Sequence, residues 1–384
     1  MENRTIAITR TFDDIEAATH RAIASIGGMQ SVMQGGRNAL LKPNFVAGRN
    51  ATTGSTTHFA IIKAVAEEVR ACGAKPFLCE IPGTEFDCEA TYTLLGLEQF
   101  CQDNHISLLR LDPEGGAEDW IEIQATGARV LRQFRVPRLL HDQGTRLINL
   151  PVLKTHVVSI MSLSMKNLMG ILPRPERRTM HTFGIDQCIV DMNFGIQPDL
   201  TIVDGCVGQD GDGPLYGDCA DLQVLVAGRN NLAVDLVCCQ LVGVKPRSVP
   251  HLKLALAQMG KPDWQVVGEE MSILKQFILP QKKSLYRSIF WSMFLLDYPY
   301  SWLAERGKHL CTTIYNSGLV GTRPQINQER CTRCGTCVET CPLPNVIDLQ
   351  ILKINYQSCQ RCLLCYEQCP EHAISVKGYS GART

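Results

Sequence analysis

A repeated cysteine pattern near the C-terminus constrains this 384-residue chain more than any other feature. Eight of the 18 cysteines fall in the last 54 residues, in two copies of C-x2-C-x2-C-x3-C-P at 331–342 and 359–370. The copies repeat with a period of 28 residues, and Ile326-Asn327 and Ile354-Asn355 extend the match beyond the cysteines. This spacing is typical of thiolate ligands to iron–sulfur clusters, so the pattern indicates a duplicated metal-binding unit.

A zinc site is the alternative, but zinc takes four tetrahedral thiolates and has no use for eight in this spacing. The segment resembles bacterial two-cluster ferredoxins. That resemblance implies two 4Fe-4S clusters with interleaved ligands: Cys331, Cys334, Cys337 and Cys369 for the first, and Cys359, Cys362, Cys365 and Cys341 for the second. A domain of about 60 residues buries little apolar surface, so we expect it not to fold without its clusters.

The preceding residues alternate between β-branched apolar runs and helical periodicity. Predicted strands are 5–9, 39–41, 76–79, 145–150, 200–203 and 222–227, and predicted helices are 15–26, 59–72, 91–101 and 232–242. This rhythm predicts an α/β domain: a mostly parallel sheet flanked by helices, with a small antiparallel insertion near 120–136. We predict three parts: this domain at 1–270, a helical, aromatic-rich connector at 271–320, and an α+β, two-cluster ferredoxin-like domain at 321–384.

Charge and hydropathy limit the partners of the chain. The 38 basic residues balance the 38 acidic residues, so no global field attracts nucleic acid or an anionic membrane. We expect a cytoplasmic protein without a transmembrane segment, because the N-terminus has no secretory signal and the longest uncharged apolar run, 288–296, is too short to span a bilayer. Basic and aromatic residues at 282–302 suit either a peripheral membrane contact or packing of the ferredoxin-like domain.

Polar side chains follow the predicted strands, and ligands of open parallel sheets bind beyond the carboxyl ends of strands. Lys42 and Asn44 follow one strand, and the hydroxyl-rich loop 52–58 precedes the next helix. Backbone N–H groups and hydroxyls such as that of Thr56 suit an anion, although ordinary N-capping also explains a threonine there. We predict Lys42, Asn44 and Thr56 as substrate-binding residues.

The most informative strand end precedes residues 154–181, which carry five permanent cations and one acid, Glu176. Lys, Arg and Asn donors suit a carboxylate or phosphate, and a histidine supplies a proton near neutral pH. We therefore predict catalytic roles for Lys154, His156 and Lys166, and substrate-binding roles for Asn167, Arg177 and His181. A solvated arginine loop and a surface histidine are the alternatives for the last two.

A third strand end, at 199–214, is rich in aspartate and glycine. We predict Asp204 as a substrate-binding residue. Tight-turn chemistry explains the same residues, and the spacing lacks the downstream glutamate of a calcium loop. No dinucleotide or ATP fingerprint follows any predicted strand, and a flavin, although compatible with the clusters, has no supporting motif.

Several of these stretches resemble the domain-of-unknown-function family 362, often fused to a two-cluster ferredoxin module. They are Lys42-Pro43-Asn44, 150–156, 164–170, 202–205 with 211–214, and 228–235. The resemblance implies an iron–sulfur redox protein. We expect an oxidoreductase whose ferredoxin module passes low-potential electrons from an electron-donor protein to a small anionic substrate. The alternative is a non-enzymatic electron-transfer or accessory subunit that docks a partner reductase.

Overall fold

The computed structural model describes residues 4–12, 14–83, 86–215, 217–280, 323–341, 343–356, 358–359 and 363–377. The chain forms two compact units: Met1–Val46, Asn50–Ile81 and Glu98–Ser288 in the first, and Ala47–Arg49, Pro82–Leu97 and Ile289–Thr384 in the second. Most of the predicted connector, including the region 282–302, lies outside the described residues; its described part, 271–280, contains no helix.

Ten strands of the first unit form one sheet within the described residues, in the order β12-β1-β11-β10-β7-β2-β3-β4, with β8 paired to β10 and β9 to β8. The bounds are β1 Thr5–Arg10, β2 Asn38–Lys42, β3 Lys75–Leu78, β4 Ser107–Leu108, β7 Thr145–Asn149, β8 Val152–His156, β9 Ile160–Ser162, β10 Leu200–Asp210, β11 Asp218–Gly228 and β12 Gln265–Gly268. The pairs from β10 through β7, β2 and β3 to β4 are parallel, whereas β11 runs antiparallel to β1 and β10. The prediction of a mostly parallel α/β sheet is therefore confirmed.

Helices of the first unit pack on this sheet through apolar faces that carry buried side chains. The described helices before residue 260 are α1 Ile15–Ser25, α2 Gly28–Met33, α3 Phe59–Ala71, α4 Cys88–Leu94, α5 Leu97–Asp103, α6 Ser164–Asn167, α7 Arg174–Phe183, α8 Ile185–Gly195, α9 Asn231–Leu241 and α10 Pro250–Gln258, of which α4 belongs to the second unit. The predicted helix at 91–101 is two helices, since Gly96 between them has φ +60°, a left-handed conformation that ends a helix. The predicted antiparallel insertion is a separate hairpin, β5 Trp120–Gln124 with β6 Gln133–Pro137.

Strand β10 is much longer than its prediction, 200–203, so Asp204 lies within a strand and not at its end. The sequence predicts a turn from the glycines of this region, but in the structure Gly208 allows two strands to pack closely. A Cβ on Gly208 would lie 2.7 Å from the carbonyl oxygen of Leu153, so only glycine lets β8 approach β10 here. The turn begins after Asp210.

The described C-terminal residues form a small α+β fold of short elements. Strand β13 (Arg323–Ile326) pairs antiparallel with β16 (Ile374–Lys377), and β14 (Ile347–Asp348) pairs with β15 (Lys353–Ile354). Helices α11 (Thr336–Glu339) and α12 (Leu364–Glu367) follow equivalent positions of the two repeats. Within the described part of the chain, no helix is long and apolar enough to cross a membrane.

Candidate functional site

Two cavities in the second unit collect the repeat cysteines. One is lined by Cys331, Cys334, Cys337 and Cys369, so the last cysteine of the second repeat joins three from the first. The other is lined by Cys341, Cys359 and Cys365. Cys362 lies outside the described residues. The described cysteines are thus brought together in the interleaved sets that the ferredoxin resemblance implies.

The surroundings of these thiols suit iron ligands. The Ala373 N–H donates to Cys369 Sγ at 3.3 Å, and Cys334 Sγ lies 3.4 Å from Thr336 Oγ1. Hydrogen bonds from Thr336 lower the pKa of the Cys334 thiol, which favours the thiolate that binds iron. The donor set is all sulfur, as 4Fe-4S clusters require.

In the first unit, the carboxyl ends of β2 and β8 bring several predicted site residues together around Asn167. The Asn167 Oδ1 accepts hydrogen bonds from Lys42 Nζ at 3.1 Å and from Asn44 Nδ2 at 2.8 Å. The Lys154 ammonium donates to Asn44 Oδ1 and, at 2.7 Å, to the carbonyl oxygen of Ser55. Both lysines are fully buried, so two ammonium groups are held inside one amide network.

Lys42 also forms a buried ion pair with Glu80, which follows β3. Burial lowers the pKa of Lys42, and the Glu80 carboxylate opposes that effect. A Cβ on Gly170 would overlap both Glu80 Oε2 and Lys42 Nζ, so glycine is required to leave space for the pair. The packing of this ion pair therefore explains why the 164–170 stretch ends in glycine.

The histidines and remaining cations form the outer part of the same site. Burial lowers the pKa of His156 well below its usual range, and the cations Lys166 and Lys154 lower it further. Burial, with Lys166 and Arg177, lowers the pKa of His181 to about 3. The contributions of Lys166 to both shifts place a positive charge close to both rings.

The orientation of His156 determines which of its nitrogens carries the proton. The N–H groups of Val158 and Ser159 point at His156 Nδ1, at 3.1 and 3.4 Å. Nδ1 is therefore the acceptor, and the neutral ring carries its proton on Nε2. The ring thus offers its Nε2–H as a hydrogen-bond donor.

The predicted arginine loop is helix α7, and its arginines divide between two environments. Arg174 and Arg178 pair with Glu114. Arg177 is 5% exposed and donates to the carbonyl oxygens of Leu172 and Ile81 at 3.0 and 2.7 Å, whereas His181 lies one turn later on the same face. Arg177 therefore holds the backbone around the site in place and also contributes positive charge near His181.

Asp204 and Thr56 occupy the neighbouring strand and loop. Asp204 Oδ2 accepts from His58 Nδ1 at 2.9 Å and from the His58 N–H at 2.8 Å, and Oδ1 accepts from the Cys206 N–H. Ligand atoms of His58, Asp204 and Cys206 lie within 4.8 Å of one another. Since three donors already satisfy Asp204, this group needs no metal. Thr56 Oγ1 is buried and makes no hydrogen bond within the described part of the chain.

Asp235, on α9, positions the short helix that carries Lys166 and Asn167. Its carboxylate accepts the N–H groups of Ser164 and Met165, at 2.8 and 3.1 Å, and the Ser164 hydroxyl. Burial nonetheless raises the pKa of Asp235 to about 6. The folded state therefore retains a proton that the unfolded state loses near pH 4.

We expect Asp235→Asn to change how stability depends on pH. A raised folded-state pKa of an acid means that wild-type stability falls as pH rises from about 4 to 6, by about 3 kcal/mol from this group alone. Urea denaturation at pH 4.5 and 6.5 measures this. The wild type should lose stability relative to the variant over that interval; a difference that does not change with pH would contradict the assignment.

Sequence patterns did not identify Glu80, Asn149 or Asp235 as site residues, and they included His58 only as the last residue of the hydroxyl-rich loop 52–58. Glu80 is two residues beyond the end of β3, so the rule that ligands lie beyond strand ends could have found it. Asn149 is the last residue of β7 and accepts the Asn167 Nδ2 hydrogen bond at 2.8 Å. His58 and Asp235 depend on partners 146 and 71 residues away, which no local pattern indicates.

Two regions of the chain match known protein families. Residues 323–370 match a family described as a 4Fe-4S dicluster domain. The chain is 27% identical over 250 residues to the thylakoid-associated protein sll1697 of Synechocystis sp., covering 62% of this chain and 72% of that protein. No solved structure matches significantly.

The dicluster match makes the chain an iron–sulfur electron-transfer protein that carries 4Fe-4S clusters. Residues 39–240 match the family described as domain of unknown function DUF362, and they contain every described member of the Lys42, Lys154 and Asn167 network. Because this match spans more than half of the 384 residues, the chain belongs to the DUF362 family.

Proposed function

We propose that this protein is a reductase that delivers electrons from its dicluster domain to a small anionic substrate bound beside Lys154, His156 and Lys166. One observation carries the proposal. Burial is the main cause of the lowered pKa values of His156 and His181, and Lys166 lowers both further, so a cation lies close to both rings at the carboxyl ends of parallel strands. A carboxylate or phosphate is the complementary ligand.

We assign the hydrogen-bond donors of this site to two different roles. Lys42 and Lys154 are buried within the amide network and hold its shape and charge. The half-buried Lys166 and the His156 Nε2–H are the donors that we assign to the substrate anion. The buried Thr56 hydroxyl has no partner among the described residues and offers one further hydrogen bond.

The reaction that suits these groups is reduction of an activated double bond. Such a step consumes two electrons and two protons and forms two new bonds to hydrogen. The clusters supply the electrons one at a time from an external electron-donor protein. We assign one proton to the Lys166 ammonium, which solvent can recharge, and the other to water. His156 holds the substrate and does not transfer a proton, because its ring is neutral.

Anion binding by the cluster-loaded protein tests the proposal. Inorganic phosphate and succinate serve as probes, followed through the NMR shifts of His156 and His181. We expect Lys166→Gln to weaken binding at least tenfold, since a charge-assisted hydrogen bond contributes about 1.5–3 kcal/mol. Lys75→Gln is the matched control: Lys75 is exposed at the first residue of β3, the opposite end of that strand.

Electron delivery is tested by reoxidation of the reduced clusters. A panel of small unsaturated carboxylates should include compounds that reoxidise the wild type and Lys75→Gln equally, and Lys166→Gln more slowly. Iron content should be equal in all three proteins. If no probe binds and no panel member reoxidises the clusters, the proposal is wrong. Recovery of a stable complex with a catalytic partner would then favour the accessory-subunit alternative.

A further inference from the structure

The described walls of the two cluster cavities differ in polarity, whereas Gln360 and Arg361, the sequence counterparts of Thr332 and Arg333, lie outside the described residues. Four charged or polar side chains near the first cavity are exposed or half-buried: those of Thr332, Arg333, Thr336 and Glu371. Around the second cavity, the described side chains other than the cysteines are all apolar: those of Leu94, Pro324, Leu343, Val346, Ile347, Ile354, Leu363 and Leu364. None of these second-cavity residues is exposed.

Glu371 of the first cavity corresponds to Leu343 in the second, and a further difference lies at two adjacent positions of the repeat. Gly335-Thr336 in the first copy corresponds to Leu363-Leu364 in the second. The arginines cannot account for it, since Arg333 has its sequence counterpart in Arg361. In the first copy, the Thr336 hydroxyl lies 3.4 Å from Cys334 Sγ. Leu364 begins α12 at the equivalent position and has no hydroxyl to donate.

Leu363 has a backbone conformation that leucine rarely adopts. Its φ and ψ are 64° and 11°, the left-handed region that the equivalent Gly335 occupies without cost. A glycine would relieve this strain, so we expect the leucine side chain to have a role that offsets its conformational cost. The Leu363 side chain is 2% exposed and lines the second cavity. It therefore adds apolar surface to the wall of that cavity.

We infer that the two clusters have different reduction potentials. The first cluster has the higher potential and is more easily reduced, whereas the second has the lower potential and is the stronger reductant. Reduction adds negative charge to a cluster. Hydrogen bonds to sulfur and nearby solvent stabilise that charge, whereas a dry, apolar cavity does not. The inference rests on the proposed function only in that the clusters relay electrons. Thr336 and Leu363 are then positioning residues that set the two potentials.

An EPR-monitored redox titration of the cluster-loaded chain tests this without any substrate. We expect two reduction steps. At one ambient potential, the ratio of reduced to oxidised cluster should be about tenfold lower at the second site, which corresponds to about 59 mV for one-electron couples. Coincident steps in the wild type would overturn the inference and would leave the proposed substrate site untouched.

Reciprocal variants identify the residues responsible. Thr336→Val removes the hydroxyl at nearly constant shape and should lower the higher potential alone, whereas Thr336→Ser should leave it in place. Leu364→Thr should raise the lower potential. Leu363→Gly, which the backbone accepts readily, should also raise the lower potential by admitting water. If Thr336→Val shifts the lower potential, or if Ser and Val have equal effects, the assignment is wrong. Iron content confirms that each variant carries both clusters.

Discussion

Removal of iron will unfold residues 323–377 and leave the ten-stranded sheet of the first unit folded. The reason is the composition of the small core. One cluster of its buried residues consists of Cys337, Cys365, Cys369, Ala373 and Ile374, so three of the five members of this cluster are cysteines assigned as ligands. The paired strands are only two to four residues long. Without clusters, such a domain has too little apolar surface to offset the entropy of folding.

Hydrogen exchange measured by mass spectrometry, before and after anaerobic chelation, provides the test. We expect amide protection across 323–377 to be lost and protection across β2, β7 and β10 to be retained. Sustained protection of 323–377 after complete iron removal would contradict the expectation. The large sheet has a core of its own, since Leu40, Ile148 and Val203 are fully buried.

Two cysteine substitutions separate cluster loss from general damage. Cys369→Ser should reduce the iron content from about eight to about four atoms per chain and destabilise the domain, since Cys369 lines the first cavity and is predicted as a ligand of the first cluster. The control is Cys219→Ser, which alters an exposed cysteine of β11 outside the repeats and should leave the iron content unchanged. Equal iron loss in both variants would show that the predicted ligand set is wrong.

The parts of this protein that sequence predicts well depend on local covalent spacing. The cysteine repeat determines which thiols converge, because three residues of each set are only three positions apart. The strand end at Lys42 follows from the continuous apolar run 39–41, which is typical of a strand buried on both faces. Both kinds of feature can be predicted without knowing which strands are neighbours in the sheet.

The parts that sequence does not predict depend on distant partners. Strand β10 continues past Val203 because β11 pairs with it through Asp210, and that pairing overrides the turn tendency of its glycines. Glu80 belongs to the site only because Lys42, in the neighbouring strand, is buried beside it. A buried charge requires a partner, but a sequence does not state which acid is available.

Breaking the Lys42–Glu80 pair is the second change for which we expect a large effect. Glu80→Gln keeps the shape of the side chain but leaves a fully buried ammonium without its carboxylate. Lys42 and Glu80 are 0% and 4% exposed, so solvent cannot replace the lost partner. We expect a loss of about 3–5 kcal/mol in the free energy of unfolding. Urea denaturation of the cluster-loaded protein measures it.

Gly170→Ala should act on the same pair from outside, since the added Cβ overlaps both charged groups. The matched control is Gly184→Ala. Its added Cβ meets nothing within 4 Å, so its cost comes from backbone strain at φ +112° alone. We expect Gly170→Ala to be the more destabilising of the two. A similar cost for both would show that the space beside Glu80 can relax.

A double variant separates the stabilising role of Lys42 from its role in binding. Lys42→Met with Glu80→Gln removes both buried charges, and we expect it to recover most of the stability lost in Glu80→Gln, because replacing a whole buried pair is often neutral. The same variant removes one cation from the site, so phosphate and succinate should bind more weakly than to the wild type. If stability recovers and binding is unchanged, Lys42 is a structural residue and Lys154 and Lys166 alone provide the anion site. If stability does not recover, the ammonium of Lys42 holds Asn167 in place independently of Glu80.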